Sequence, residues 1–119
     1  MHVLVVEDEP IFRLDLTNRL RSLGFETVHG TAYAEEAVVY AQSHTPDLIL
    51  MDIRLKGEMT GIEAAGRIGS GSSVPILIMS AYHYEPQELA STVPNFLGFL
   101  PKPIDDVSLE TYCGKVVQH

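Results

Sequence analysis

The sequence predicts one α/β domain, a parallel sheet with helices on both faces. Three observations predict it. Four short apolar runs and one weaker run have strand length. Segments with helical periodicity separate them. The links are short and hold Gly, Pro, Ser or Asp, the residues that punctuate chains. Strands alternating with helices require right-handed crossovers between parallel strands.

The elements come in a regular order. "HVLVV" (2–6) reads as a buried strand. "PIFRLDLTNRLRSLG" (10–24) is a helix with Pro10 near its first turn. Phe12, Leu16, Leu20 and Leu23 share one face, and Gly24 is the stop. "ETVHG" (26–30) is a weak second strand, and "AEEAVVYAQSH" (34–44) is a helix closed by Pro46. "DLILMD" (47–52) is the third strand and "GIEAAGRIG" (61–69) a short helix. "GSGSS" (69–73) is a helix-to-strand loop before the fourth strand, "VPILIMS" (74–80). "EPQELAST" (85–92) is a short, poor helix with Pro86 in its first turn. "FLGFL" (96–100) is the fifth strand. "DDVSLETYCGKVVQ" (105–118) is the last helix, with Asp105 or Asp106 as N-cap.

Bulk properties narrow the function. The 119 residues suit a single domain, 1–119. The apolar share of 45 % and charged share of 20 % are those of a globular protein. No apolar run approaches the ~20 residues that cross a bilayer, and "MHVLVV" is no signal peptide. The start at Met1 to Leu4 suits a natural N-terminus, and no further domain is expected after the last helix; the chain is either a single-domain protein or one domain cut from a longer one. Cys113 is the single cysteine, so no internal disulfide can form; this fits a reducing compartment, and the expected location is cytoplasmic. The net charge of -8, with no basic stripe, argues against direct nucleic-acid binding.

In open parallel sheets, ligands sit beyond the carboxyl ends of the strands. Here those ends carry Glu7 and Asp8, then Asp52, then Ser80, then Lys102. An ionised Asp52 ending the apolar run Leu48 to Met51 is costly to bury unless something pairs with it. Two like charges about 4 Å apart repel by roughly 4 kcal/mol at an effective dielectric of about 20. Such carboxylates call for a cation or for raised pKa values. An all-oxygen set suits Mg²⁺ or Mn²⁺. A metal, a lysine and a small hydroxyl around one carboxylate make a holder for a phosphoryl group, with Asp52 as the nucleophile.

The segments "VVEDEP" (5–10), "LILMDIRL" (48–55) with "GIEAA" (61–65), "ILIMSAY" (76–82) and "FLGFLPKP" (96–103) together resemble a response-regulator receiver domain of bacterial two-component signalling, in a single-domain, chemotaxis-regulator-like form. The resemblance covers essentially the whole chain. It implies a flavodoxin-like, doubly wound (βα)5 fold with strand order 2-1-3-4-5. Asp52 then matches the phosphoacceptor, and Asp8 a direct ligand of Mg²⁺ (or Mn²⁺) that Glu7 helps to hold. The backbone carbonyl of Arg54 is a further ligand. Ser80 matches the switch hydroxyl, Phe99 the switch aromatic, and Lys102 the partner of the phosphoryl oxygens, with a Lys102–Pro103 bond usually cis. Ala81 leaves room for the phosphoryl group.

The partners implied are a sensor histidine kinase or a histidine phosphotransfer protein, and a downstream protein of unknown identity. The latter would read a surface around the fourth helix, fifth strand and fifth helix, where Tyr82 and Tyr84 also fall. Apart from its own phosphoryl transfer and dephosphorylation, the domain is not expected to be an enzyme. Two features depart from the commoner pattern. The loop from Asp52 to Gly61 carries one extra residue, and Phe99 lacks a tyrosine hydroxyl. Arg54 and Tyr82 occupy the positions that tune phosphate lifetime in this family. Both are large, which predicts slow self-hydrolysis.

Other readings are weaker. A haloacid-dehalogenase-type phosphatase needs an acid two residues after its nucleophile, where Arg54 stands. A flavodoxin needs hydroxyls and glycine in its first loop, which here reads Glu-Asp-Glu-Pro. A receiver blind to phosphate would not need the full acidic, hydroxyl and lysine set. His2, His29, His44, His83 and His119 share no ligand spacing and read as surface or loop residues. Tyr33, Tyr40 and Tyr112 read as helix-face packing, and Cys113 as a small packing residue.

Overall fold

A computed structural model describes residues 1–117. The strands are β1 (His2–Val6), β2 (Thr27–Thr31), β3 (Leu48–Asp52), β4 (Ile76–Ser80) and β5 (Phe96–Pro101). The helices are α1 (Pro10–Ser22), α2 (Ala34–His44), α3 (Gly61–Gly69), α4 (Pro86–Thr92) and α5 (Asp106–Val117). All strand pairs are parallel, in the order β2-β1-β3-β4-β5. This is the flavodoxin-like order the resemblance implies. His119, and Gln118 at the end of the expected last helix, lie outside the described residues.

The unbroken apolar character of β1, β3 and β4 has a simple cause. Alternate side chains point to opposite faces, and helices cover both. Leu4, Val6, Ile49, Met51, Ile76 and Ile78 pack under the α2–α3–α4 layer, mainly against Ala34, Ala37, Ala64, Ala65 and Leu89. Val3, Val5, Leu48, Leu50, Leu77 and Met79 pack under α1 and α5, against Leu16, Leu20, Leu109 and Cys113. Each fully buried branched side chain contributes about 1.5–3 kcal/mol of transfer free energy.

Local chemistry sets the helix ends. Glu9 caps α1 by accepting from the Ile11 amide at 3.3 Å, with Pro10 just inside. Thr60 and Glu63 form a reciprocal capping box that starts α3. Asp105, not Asp106, caps α5, accepting from the Ser108 amide at 2.9 Å. Of the face expected on α1, Leu16 and Leu20 are buried, while Phe12 and Leu23 are half-buried at its margins.

Some expectations need correction. Tyr33 is not within a helix but stands at the N-cap of α2, where its backbone is extended and its side chain is exposed. The histidines are less scattered than their spacing suggests. His29 and His44 stack on Tyr40, and His2 lies 2.6 Å from its hydroxyl. β1 and β2 are neighbours in register, and α2 packs beside them, so residues far apart in sequence meet. β5 bulges opposite Ile76 and Leu77, a feature periodicity does not reveal.

Candidate functional site

The register of the parallel strands places the predicted residues on one edge. Asp52 and Ser80 are the last residues of β3 and β4. Glu7 follows β1, and Lys102 follows β5. The Lys102 amide donates to the Ser80 carbonyl at 2.9 Å, which carries the β4–β5 pairing one residue further. The Lys102–Pro103 peptide is cis.

The charges come together tightly. Lys102 Nζ donates to Asp52 Oδ2 at 2.7 Å and to Glu7 Oε1 at 2.5 Å. Glu7 is 1 % exposed and Asp52 4 %. Burial pushes the Glu7 carboxyl up to about 7. Hydrogen bonds from Lys102 and the Glu9 amide oppose that rise, and the Asp52 charge adds to it. Burial also works against the charged Lys102 ammonium, but hydrogen bonds to Asp52 and Glu7 outweigh it and raise its pKa. The Lys102 ammonium lies over the Phe12 ring, with Nζ 4.6 Å from the ring centre.

Asp8 is half-buried beside this pair. Glu7, Asp8 and Asp52 each place a carboxylate oxygen within 4.8 Å of the others. Such a set of hard oxygen donors fits Mg²⁺ or Mn²⁺ and does not suit a soft-ligand metal. The Arg54 amide donates to Asp52 Oδ1 at 3.3 Å, so both oxygens of Asp52 are engaged.

The loop from Asp52 to Gly61 leaves Asp52 as the last residue of β3. Gly57 takes φ +98°, a conformation glycine adopts without strain, and Lys56 bridges to Tyr33. The Gly61 amide donates to the Ile53 carbonyl at 2.9 Å. A Cβ on Gly61 would collide with the Asp52 carbonyl oxygen, so only glycine lets α3 start this close to β3.

The remaining predicted residues form a second group. Ser80 is buried, and its Oγ accepts from the Tyr82 amide at 3.0 Å. Ala81 is exposed and small. The Arg54 guanidinium lies over the Tyr82 ring, 3.9 Å from its centre. Phe99 belongs to the α2–α3–α4 face rather than to the acidic cluster, and meets Tyr84 edge to face with centroids 6.3 Å apart. Phe99 is thus separate from the charges but borders the β4–α4 loop. Cys113 is buried, which pushes its thiol up to about 11. One residue near the site went unread in the sequence. Arg13 donates to the Glu7 carbonyl at 2.6 Å, and nothing distinguishes it in sequence from any exposed helix arginine.

The sequence matches the response regulator receiver domain over residues 3–113. The chain belongs to the response-regulator receiver family. A transcriptional regulatory protein, PdtaR of Mycobacterium tuberculosis, is 35 % identical over 101 residues, 85 % of this chain and 49 % of that protein. Among solved structures, chemotaxis protein CheY4 of Vibrio cholerae superposes with a TM-score of 0.84 at 27 % identity, covering 98 % of both chains. The receiver domain of a sensor histidine kinase from Pseudomonas aeruginosa has a TM-score of 0.84 at 28 % identity, covering 99 % of this chain and 98 % of that one. That structure holds a magnesium ion in its active-site cleft. This receiver spans about half or less of the curated relatives it matches. Phosphorylation-controlled signalling is the general function of receivers, and an acidic Mg²⁺ pocket a general feature. Among the described residues, no helix of this receiver is long and apolar enough to cross a membrane.

Proposed function

We propose that this chain acts as one receiver domain in which Asp52 accepts a phosphoryl group from a phosphohistidine. The donor is a sensor histidine kinase or a histidine phosphotransfer protein. An Asp52 carboxylate oxygen attacks phosphorus, the N–P bond breaks, and the imidazole leaves with the bonding pair. The observation that carries this reading is the Lys102 ammonium held against both Asp52 and Glu7, with Asp8 alongside. A buried nucleophile is thus paired with a cation that can turn to phosphoryl oxygens.

Asp8, Asp52, Glu7 and the Arg54 backbone carbonyl would hold Mg²⁺ (or Mn²⁺). When bound, the ion neutralises charge developing on the transferred group. Ser80 trades its bond with the Tyr82 amide for one to a phosphoryl oxygen, and Phe99 follows by changing rotamer. A surface around α4, β5 and α5 then changes for a downstream protein. The new charge biases an equilibrium between two arrangements rather than driving turnover of any other substrate. The Arg54–Tyr82 stack shields the acyl phosphate, so self-hydrolysis is slow.

Intact mass after incubation with a small phosphodonor and Mg²⁺ tests the reading. One added phosphoryl group is expected, absent with Asp52→Asn or with EDTA. No adduct from the wild type with either a small donor or a phosphorylated kinase would overturn it. A half-life of seconds or less would overturn the shielding role of Arg54 and Tyr82.

A further inference from the structure

Arg13 stands on α1 and holds the backbone that carries two of the carboxylates. Its Nη1 donates to the main-chain carbonyl oxygen of Glu7 at 2.6 Å. The Glu7 amide donates to the Thr31 carbonyl at 2.9 Å. The Glu7 side chain is held separately, by Lys102 at Oε1 and by the Glu9 amide at Oε2, 2.9 Å. The carbonyl that Arg13 takes belongs to the planar Glu7–Asp8 peptide. The plane of that peptide sets the direction in which the Asp8 side chain leaves the chain. β1 ends at Val6 and β2 at Thr31, so the sheet ladder stops just short of this carbonyl. Arg13 supplies the donor in its place.

A second strand makes room for the arm. A Cβ on Gly30 of β2 would lie 3.0 Å from Arg13 Cδ and 3.3 Å from Cγ. Gly30 does not adopt a left-handed conformation. Its backbone would accept any residue, and what glycine provides there is space.

We infer that Arg13, laid across Gly30, is a positioning residue for the divalent-cation site: it fixes the Glu7–Asp8 peptide and so aims the Asp8 carboxylate. The inference rests on the reading of Glu7, Asp8 and Asp52 as that site. Charge and geometry predict opposite signs for its loss. A positive charge removed from beside an acidic site should by itself tighten cation binding. A positioning group removed should weaken it, as partners of metal ligands do by about 10–100-fold.

The test is isothermal titration of the full chain with Mg²⁺ at pH 8, alongside thermal melts in EDTA. Arg13→Met should weaken Mg²⁺ binding about tenfold, within the range for such partners. Arg13→Lys, which keeps charge and a donor, should recover part of the loss. Gly30→Val should weaken binding by pushing the arm aside, and should add nothing to Arg13→Met in the double variant. Equal or tighter binding by Arg13→Met would overturn the inference, even with a lowered melting temperature, since that pattern marks a merely structural role. If Arg13→Met does not fold, Arg13→Lys and Gly30→Val decide. Unchanged affinity in both would then overturn the inference. A wild type that takes up no Mg²⁺ would overturn the site reading itself, and this inference with it. Mg²⁺ binding that none of the variants alters would overturn this inference alone.

Discussion

The two halves of the candidate site's edge are built differently. At the ends of β1 and β3, Glu7 and Asp52 are buried, and each carboxylate oxygen has a hydrogen-bond partner. At the end of β4 the chain runs into Tyr82, 56 % exposed, and then into α4, a helix of seven residues. Among the described residues no side chain caps α4, and of its residues only Leu89 is buried. Substituting the first half should alter stability and metal binding together. Changes in the second should leave both nearly intact and alter the response to phosphorylation. Segments with few buried apolar contacts are the cheap ones to move. A switch needs this division, with reacting groups that stay put and a neighbouring segment that shifts at small cost.

Breaking the rigid half should give the largest effect. Lys102→Met leaves Glu7 and Asp52 buried side by side with no ammonium between them. Removing one partner of a buried ion pair costs about 3–5 kcal/mol. The denaturation midpoint in EDTA should fall accordingly, and Mg²⁺ should restore more stability to this variant than to the wild type. Gly61→Ala comes next, at about 1–3 kcal/mol by overpacking, since its Cβ meets the Asp52 carbonyl. The same melts check it, and phosphoryl incorporation should slow because Asp52 moves.

Acidity sharpens the comparison further. With the Glu7 carboxyl pushed up to about 7, protons and Mg²⁺ compete for it. Mg²⁺ affinity should fall up to about tenfold between pH 8 and pH 6, as a group titrating near 7 requires. Without metal the sign reverses. Between the ordinary carboxyl value of 4.5 and about 7, the folded state holds a proton that the unfolded state has released. This contribution to stability is therefore present at low pH and lost as pH rises through about 7. His2, lowered by burial, acts in the opposite sense, its contribution lost as pH falls below its ordinary 6.5. The difference between wild type and Glu7→Gln in EDTA isolates the Glu7 part, and it should shrink from pH 5 to pH 8.

The smallest effect belongs to the loosely packed half. Arg54→Ala or Tyr82→Ala removes the stack that we propose shields Asp52, worth about 0.5–1 kcal/mol at an exposed site. The acyl phosphate half-life should shorten about threefold, as read by the decay of the phosphorylated mass. The midpoint of unfolding should fall by no more than that, and the Mg²⁺ affinity should not change. Equal losses in all three would dissolve the division between the halves.

The ladder of elements and the edge where chemistry falls are both written into the local sequence. Apolar runs such as Leu48 to Met51 are legible because a strand covered on both faces leaves a continuous hydrophobic stretch. Caps and stops are equally local, and the bounds of α2 and α3 stand where the sequence reading puts them. Glu7, Asp8, Asp52, Ser80 and Lys102 stand out because parallel strands share one carboxyl edge. The partner that each charge takes is a matter of tertiary packing. Lys102 lies 50 residues from Asp52 and 95 from Glu7, and only the β4–β5 register sets its reach. The same holds for Arg13 across Gly30, for Arg54 over Tyr82, and for the histidines around Tyr40. Contacts between residues distant in sequence carry no periodic signal, because they depend on how layers stack rather than on what each segment forms alone.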